Sequence, residues 1–411
     1  MEDDLRSPSP NLESQSGKPL PRGPRRTSAA ATARLAAARS RYPGFNSRLL
    51  DEKFALYRKR ISESGPPDVL IVGSSRALRG VDPSVLQKSL AAQGYEGLDI
   101  FNFGINGATA QVVDLLLSQF LLPDELPKLI LWADGARAFN SGRLDITYNG
   151  VVASEGYKQL SEEIVQHQAN ADQANPNAAN AAESTNSNPE RRAGDTNLVA
   201  DSYRRFNQWL EDAVATLSAT YERRDELKAS LQGAWAAVFP GPDAWQSDRL
   251  ASNDAGLLGE DDLDASSRSI DFNGFLPISE RFNIATYYQN HPQVPGAYDA
   301  DYEAFRIEGK QTEAMQNLLQ FLKSQEISLV FINLPLTQDY LDATRADYEE
   351  EFQRFMLESA IRNQFIFRNL SDLWLTEHDY FSDPSHLNQY GAYAVSQHVA
   401  KDPMISWPQP Q

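Results

Sequence analysis

Apolar positions change period repeatedly along this chain, and the changes sketch a fold. From Phe45 to Ser62, the residues Leu50, Phe54, Tyr57 and Ile61 recur three or four apart, the spacing of one helix face. Gly65-Pro66-Pro67 stops that helix. Asp68–Gly73 then carries the unbroken run Val69-Leu70-Ile71-Val72, which reads as a short strand buried on both faces. Asp82-Pro83 is a capping carboxylate followed by proline at the first helical position, and predicts a helix through Ala92. Leu98–Gly104 predicts a second strand, Thr109–Leu122 a helix, and Lys128–Ala133 a third strand built on Leu129-Ile130-Leu131-Trp132. The alternation resumes later in the chain. Gln311–Ser324 reads as helix, Ile327–Leu334 as strand, Ala346–Asn363 as helix, Phe365–Leu370 as strand and Asn388–Ala400 as the last helix. Apolar strands alternating with helices predict an α/β fold with a mostly parallel sheet covered on both faces.

The stretches between differ. Residues 1–40 are rich in Ser, Pro, Arg and Ala, carry no apolar period, and are expected to be a disordered basic tail. Residues 166–197 are rich in Asn and Ala with almost nothing to bury, whereas Asp201–Ala237 looks helical and Asp254–Ser269 is an acidic loop. The expected organisation is therefore one α/β domain in two parts, 41–154 and 271–404, split by an insertion at 155–270 and followed by a short tail, 405–411.

Composition narrows the function classes. The 411 residues carry a net charge of −18; residues 1–42 hold eight Lys/Arg and four Asp/Glu, so +4 sits on the tail and −22 on the rest. An acidic body repels phosphate, so no nucleic-acid partner is expected. The basic tail or the insertion is where a protein partner would dock. There is no cysteine, which excludes disulfides and thiolate chemistry. No His/Asp/Glu group has a recognisable metal spacing and no glycine-rich phosphate cradle is complete, so neither metal nor cofactor is expected. No stretch approaches the ~18–20 apolar residues of a membrane span. The amino terminus lacks the apolar core of a secretory signal, so the expected location is cytoplasmic; a start codon lying further upstream would reopen an extracytoplasmic one.

Four segments carry candidate chemistry. Gly73-Ser74-Ser75-Arg76 follows the first strand directly, at the carboxyl edge where open parallel sheets place their functional crevice. Alone it is a common turn sequence. Gly104 and Gly107 bracket the loop after the second strand, leading into a helix whose first amides are free donors. After the third strand come Asp134, Arg137, Asn140 and Arg143: an amide donor and two cations able to grip an anion, or equally a solvated loop of Asp–Arg pairs. Last is Ser382-Asp383-Pro384-Ser385-His386. Of the five histidines, His386 has a carboxylate three residues before it, so Asp383 can hold Nδ1 and leave Nε2 free for a serine. The same spacing also occurs in helix caps. Asn333, ending the fourth strand at the same edge, can line the pocket or simply end the strand. Tyr287, Tyr288 and Tyr380 are expected in the core, and His291 and His378 in structural or surface places.

Taken in order, Gly-x-Ser after strand one, Gly after strand two, a polar residue after strand three and Asp-x-x-His near the end resemble the SGNH/GDSL hydrolase superfamily. The chain looks like the divergent branch that includes polysaccharide O-acetyltransferases and a bacterial domain of unknown function carrying Gly-Ser-Ser-Arg. That resemblance implies a three-layer α/β/α, flavodoxin-like fold. It implies serine-dependent acyl transfer to water or a carbohydrate hydroxyl, acting on a small-molecule ester or glycan. It assigns Ser75 as nucleophile, His386 as base, Asp383 as its orienting acid, and the Ser75 and Gly107 amides with Asn140 as the oxyanion hole. Arg76, Arg137, Arg143 and Asn333 are then expected against the substrate. Two blocks depart from the pattern: Ala133-Asp134-Gly135-Ala136 stands where Gly-x-Asn is usual, and Ser74 and Arg76 replace an aspartate and an apolar residue. The alternative is a non-catalytic binding or scaffold protein of the same fold.

Overall fold

Strand β1, Val69–Val72, has no side chain reaching solvent, and β3, Leu129–Asp134, is buried throughout. This explains why both read as unbroken apolar runs: each face of the sheet is covered. With β2 (Ile100–Asn102), β4 (Ser328–Asn333) and β5 (Ile366–Asn369) they form a five-stranded sheet in the order β2-β1-β3-β4-β5, every pairing parallel. The computed structural model describes residues 44–163 and 269–409. The chain divides into two compact units, residues 1–157 with 264–411, and residues 158–263. The first holds the sheet. The basic tail, the low-complexity stretch 166–197 and the helix expected at 201–237 fall outside the described residues.

The helices of the described residues are α1 (Arg48–Ser64), α2 (Ser75–Gly80), α3 (Pro83–Ala91), α4 (Ala110–Leu115), α5 (Ile146–Val152), α6 (Ile284–Asn290), α7 (Lys310–Ser324), α8 (Ala343–Asn363) and α9 (Gln389–Ala400), with short 3₁₀ turns between them. Strand side chains alternate between faces. Val69, Ile71, Leu129, Leu131, Val330 and Ile332 form one core with Ala77 of α2, Leu86 and Leu90 of α3, and Val395 and Val399 of α9. The opposite face is aromatic. Tyr57 of α1 meets Phe101 at 5.3 Å, and Phe331 meets Trp132 at 5.4 Å and Phe352 of α8 at 5.9 Å between ring centroids. Helices on both faces of a parallel sheet make an α/β architecture of three layers.

The elements differ from the sequence expectation at three places. The helix expected over 109–122 is α4 only to Leu115; Leu116–Phe120 winds as a wider π-helical turn. Ser75 lies not in a loop but at the first position of α2. Residues 381–387 form a small antiparallel hairpin, β6 (Phe381–Asp383) and β7 (His386–Leu387). Among the described residues, no helix is long and apolar enough to cross a membrane.

Candidate active site

All five strands run the same way, so the segments leaving β1, β2, β3 and β4 emerge at one edge of the sheet. At the end of β1 the chain must turn sharply. Gly73 does so at φ +136°, and any Cβ there would be driven into the Ala133 carbonyl oxygen. Ser74 then caps α2: its Oγ accepts from the Arg76 N–H at 3.3 Å. Asp134, at the end of β3, fixes the cap from below. Its Oδ2 accepts from the Ser74 N–H at 2.8 Å, and its Oδ1 from Ser74 Oγ at 2.9 Å and the Gly135 N–H at 3.0 Å. Burial pushes the Asp134 carboxyl up to about 6, against the pull of Arg76 and the Ser74 bonds. Ser75 is the one residue of 74–80 that is not buried. Ser74→Ala removes both the cap and a donor to a buried carboxylate, so stability falls by about 1–2 kcal/mol. A urea denaturation midpoint equal to wild type would show that the cap is not used.

The far end of the chain brings the base. The hairpin β6–β7 is held at its turn by Thr337, whose Oγ1 donates to the Pro384 carbonyl at 2.7 Å. Asn388 holds its base: Nδ2 donates to the carbonyls of Asp379 and Phe381, each at 2.9 Å, while Oδ1 accepts from the Tyr390 and Gly391 amides that open α9. Between these clamps His386 is 5% exposed. Its Nε2 lies 2.7 Å from Ser75 Oγ, and its Nδ1 lies 2.9 and 3.0 Å from the two Asp383 oxygens. Asp383 Oδ1 also accepts from the Ser385 and His386 amides, each at 2.9 Å. Burial lowers the His386 pKa below 6.5; the Asp383 carboxylate opposes this, and the charges of Arg79 and Arg137 add to it. Burial alone would raise the Asp383 carboxyl, but the charge and hydrogen bond of His386, with Arg79 and the Ser385 amide, hold it well below the usual carboxylate range. Near neutral pH the arrangement is thus a serine hydroxyl, a neutral imidazole and an ionised carboxylate.

The loop after β2 comes alongside. Asn102 ties it to α2: Nδ2 donates to the Ala77 and Val81 carbonyls at 2.8 and 2.9 Å, and Oδ1 accepts from the Gly104 amide at 2.8 Å. Buried Lys53 donates to the Asn102 carbonyl at 2.9 Å. Gly107 sits at φ +68°, where an added Cβ would press on Thr147 Oγ1. Among the described residues, neither the Ser75 nor the Gly107 amide has a hydrogen-bond acceptor.

Several residues expected to face a substrate or oxyanion are consumed by the protein itself. Asn140 is fully buried and donates both amide hydrogens, to the Asp301 and Glu303 carbonyls at 3.0 Å each. Its Oδ1 accepts from the Gly142 and Arg306 amides. It pins the 301–306 segment and has no N–H left for an oxyanion. Arg76 turns inward and donates to the Leu334 and Pro335 carbonyls. Asn333 is fully buried, donating to Glu349 at 3.3 Å and Asn369 at 3.0 Å. Arg143 is paired with Asp301 at 2.5 Å. Arg137 has only a 3.4 Å contact to the same carboxylate and lies over the Tyr340 ring.

The other aromatic and histidine positions are structural. Tyr287, Tyr288 and Tyr380 pack partly buried against the core. His378 pairs with Asp339 at 2.7 Å, and His291 stacks on Tyr287. Sequence reasoning alone does not reveal Asp134 as the anchor of Ser74, Thr337 and Asn388 as the clamps of the hairpin, or Arg79. Only Arg79 has a local signal, its place one helical turn after Ser75. Among the described residues, no group of three or more His, Asp or Glu side chains is placed to hold a metal ion. No protein-family model and no curated protein matches the chain.

Proposed function

We propose that the protein carries out serine-dependent acyl transfer on an ester, as a divergent member of the SGNH/GDSL superfamily. The observation that carries this reading is the unbroken contact chain Ser75 Oγ, His386 Nε2, His386 Nδ1, Asp383, assembled from residues 311 positions apart with spacings of 2.7 and 2.9 Å. A serine hydroxyl needs a neighbouring base to become a nucleophile, and the base needs an acceptor on its other nitrogen to fix its tautomer. The strand order β2-β1-β3-β4-β5, with the serine opening the helix that follows β1, supports the family reading.

In the reaction, Ser75 Oγ forms a bond to the ester carbonyl carbon while its proton passes to His386 Nε2. The tetrahedral oxygen accepts hydrogen bonds from the Ser75 and Gly107 amides. Collapse breaks the bond to the alcohol, which leaves with the proton from Nε2. A second acceptor, water or a sugar hydroxyl, gives its proton to Nε2 and attacks the acyl-serine; collapse breaks the bond to Ser75 Oγ, which takes the proton back from Nε2, and releases the acid or a new ester. Asp383 remains ionised and stabilises the imidazolium between these steps. Water as acceptor makes an esterase; a sugar hydroxyl makes an O-acyltransferase.

One observation favours the alternative, a binding or scaffold protein. With Asn140 spent on the 301–306 segment, the side-chain amide expected in the oxyanion hole is withdrawn, leaving the Ser75 and Gly107 amides as its expected donors. A single experiment separates the two readings. The full chain is treated with a fluorophosphonate and the adduct located by peptide mass spectrometry, alongside hydrolysis of short acyl p-nitrophenyl esters. Acyl transfer predicts an adduct on Ser75 and measurable turnover. An unmodified Ser75 in a chain with intact circular dichroism supports the binding protein.

A further inference from the structure

The two halves of the triad come from places 311 residues apart, and among the described residues the one hydrogen bond running directly between α2 and the β6–β7 hairpin is the Ser75–His386 contact itself. A third segment joins them. Residues 334–337 leave β4 at the same edge of the sheet, and all four are buried. On one flank Arg76, the residue after Ser75, donates through Nη2 to the Leu334 carbonyl and, at 3.3 Å, to the Pro335 carbonyl. On the other flank Thr337 donates twice to the Pro384 carbonyl, from its N–H at 3.2 Å and from Oγ1 at 2.7 Å. Pro384 lies between Asp383 and His386 in the hairpin turn. The segment is itself fixed: the Leu334 N–H donates to the Asp134 carbonyl and the Leu336 N–H to the Ser371 carbonyl, each at 3.0 Å. The Leu334 and Leu387 side chains share one core with Ala77 of α2.

Arg76 is 4% exposed, and its charge is answered by Glu349 and Asp134. Gly135 makes room for it, since any Cβ there would run into Nη1. A guanidinium buried in this way is costly in lost hydration, and an apolar side chain of similar volume often stabilises a fold as well or better. What the charged side chain supplies, and an apolar one lacks, is directed donation to two particular carbonyls. The distance this helps to fix has a narrow tolerance. Proton transfer needs the hydroxyl within ~2.6–3.2 Å of the imidazole nitrogen, and a misplacement of about 1 Å costs on the order of 100-fold in rate.

We propose that Arg76 and Thr337 are positioning residues and that residues 334–337 between them are a spacer. The spacer carries the nucleophile's turn on one flank and the base's hairpin on the other, and so sets the 2.7 Å separation of Ser75 Oγ from His386 Nε2. The catalytic consequence rests on the acyl-transfer reading; the spacing itself does not.

The test has a structural arm and a kinetic arm, both on the full chain. Thr337→Val keeps the shape and the N–H bond to the Pro384 carbonyl, and removes only the hydroxyl clamp. Arg76→Lys keeps the charge that answers Glu349 and Asp134, but its shorter side chain is expected to lose the two carbonyls. In a crystal structure of each variant, the distance from Ser75 Oγ to His386 Nε2 is expected to lengthen beyond about 3.2 Å. His386 Nδ1 is expected to stay on Asp383, because that pair lies within the hairpin. In hydrolysis of p-nitrophenyl butyrate, each variant is expected to lose about 10- to 100-fold in kcat per folded chain with KM unchanged. Thr337→Ser, which restores the hydroxyl, is expected to return to within about threefold of wild type. The two clamps act in series on one segment, so the double variant is expected to be no slower than the worse single one. An unchanged distance in both variants overturns the proposal, whatever the kinetics. Losses that multiply in the double variant, or a raised KM in place of a lowered kcat, also overturn it. A lengthened distance in a protein whose wild type takes no fluorophosphonate and hydrolyses no ester keeps the spacer and rejects the acyl-transfer reading; wild-type turnover with an unmoved distance in the variants does the reverse.

Discussion

In Ser75→Ala, kcat/KM for a short acyl p-nitrophenyl ester falls by about 10⁴-fold or more, and His386→Ala falls comparably. The reason is geometric. Ser75 Oγ and His386 Nε2 share one hydrogen bond of 2.7 Å, and His386 is 5% exposed, so the base stands already in place beside the hydroxyl. Without the hydroxyl there is no atom to acylate. Without the imidazole the hydroxyl keeps its proton. Because the two groups act as one unit, the double variant is expected to be no slower than the worse single variant. Multiplying losses, each near the square root of the total, would instead mean that serine and histidine contribute independently. A Ser75→Ala protein with wild-type turnover would end the nucleophile assignment. The fold is expected to survive both changes: Ser75 is partly exposed, and its cap is supplied by Ser74 and Asp134 rather than by its own side chain.

How much of this is legible in the sequence depends on where each signal resides. The strands are legible because β1 and β3 are buried on both faces, which forces unbroken apolar runs. Ser75, Asp383 and His386 are legible because each carries local context: a glycine turn after a strand, or a carboxylate three residues before an imidazole. The helix α2 is not, since six residues hold too little periodicity to register. Nor is the β6–β7 hairpin, whose strands have only three and two residues. Arg76, Asn140 and Asn333 look like site residues because they are polar and follow strands. Their fates depend on partners far along the chain, Leu334 and Pro335, Asp301 and Glu303, and Glu349 and Asn369, and no local pattern announces those. The same distance hides the two clamps on the hairpin. Thr337 reads as an ordinary loop threonine until Pro384 is brought beside it.

Asp383→Asn tests the tautomer and leaves the shape almost unchanged. Asp383 Oδ1 accepts two backbone amides, from Ser385 and His386, so an asparagine keeps its carbonyl oxygen there and turns its NH₂ toward His386 Nδ1. Facing a donor, Nδ1 must become the acceptor, and the ring proton moves to Nε2. Nε2 then points a hydrogen at Ser75 and cannot take the serine's proton. The expected loss in kcat is about 10⁴-fold with the fold intact. The pH profile gives a second reading. Catalysis needs neutral His386, and burial lowers its pKa below 6.5, so wild-type kcat/KM rises with pH through a midpoint below 6.5 and is flat above it. The Asp383 carboxylate raises that pKa against burial, so its removal shifts the midpoint of any residual activity further toward acid. A midpoint moving upward in Asp383→Asn, or a variant within tenfold of wild type, would mean that Asp383 neither orients the imidazole nor stabilises its charge.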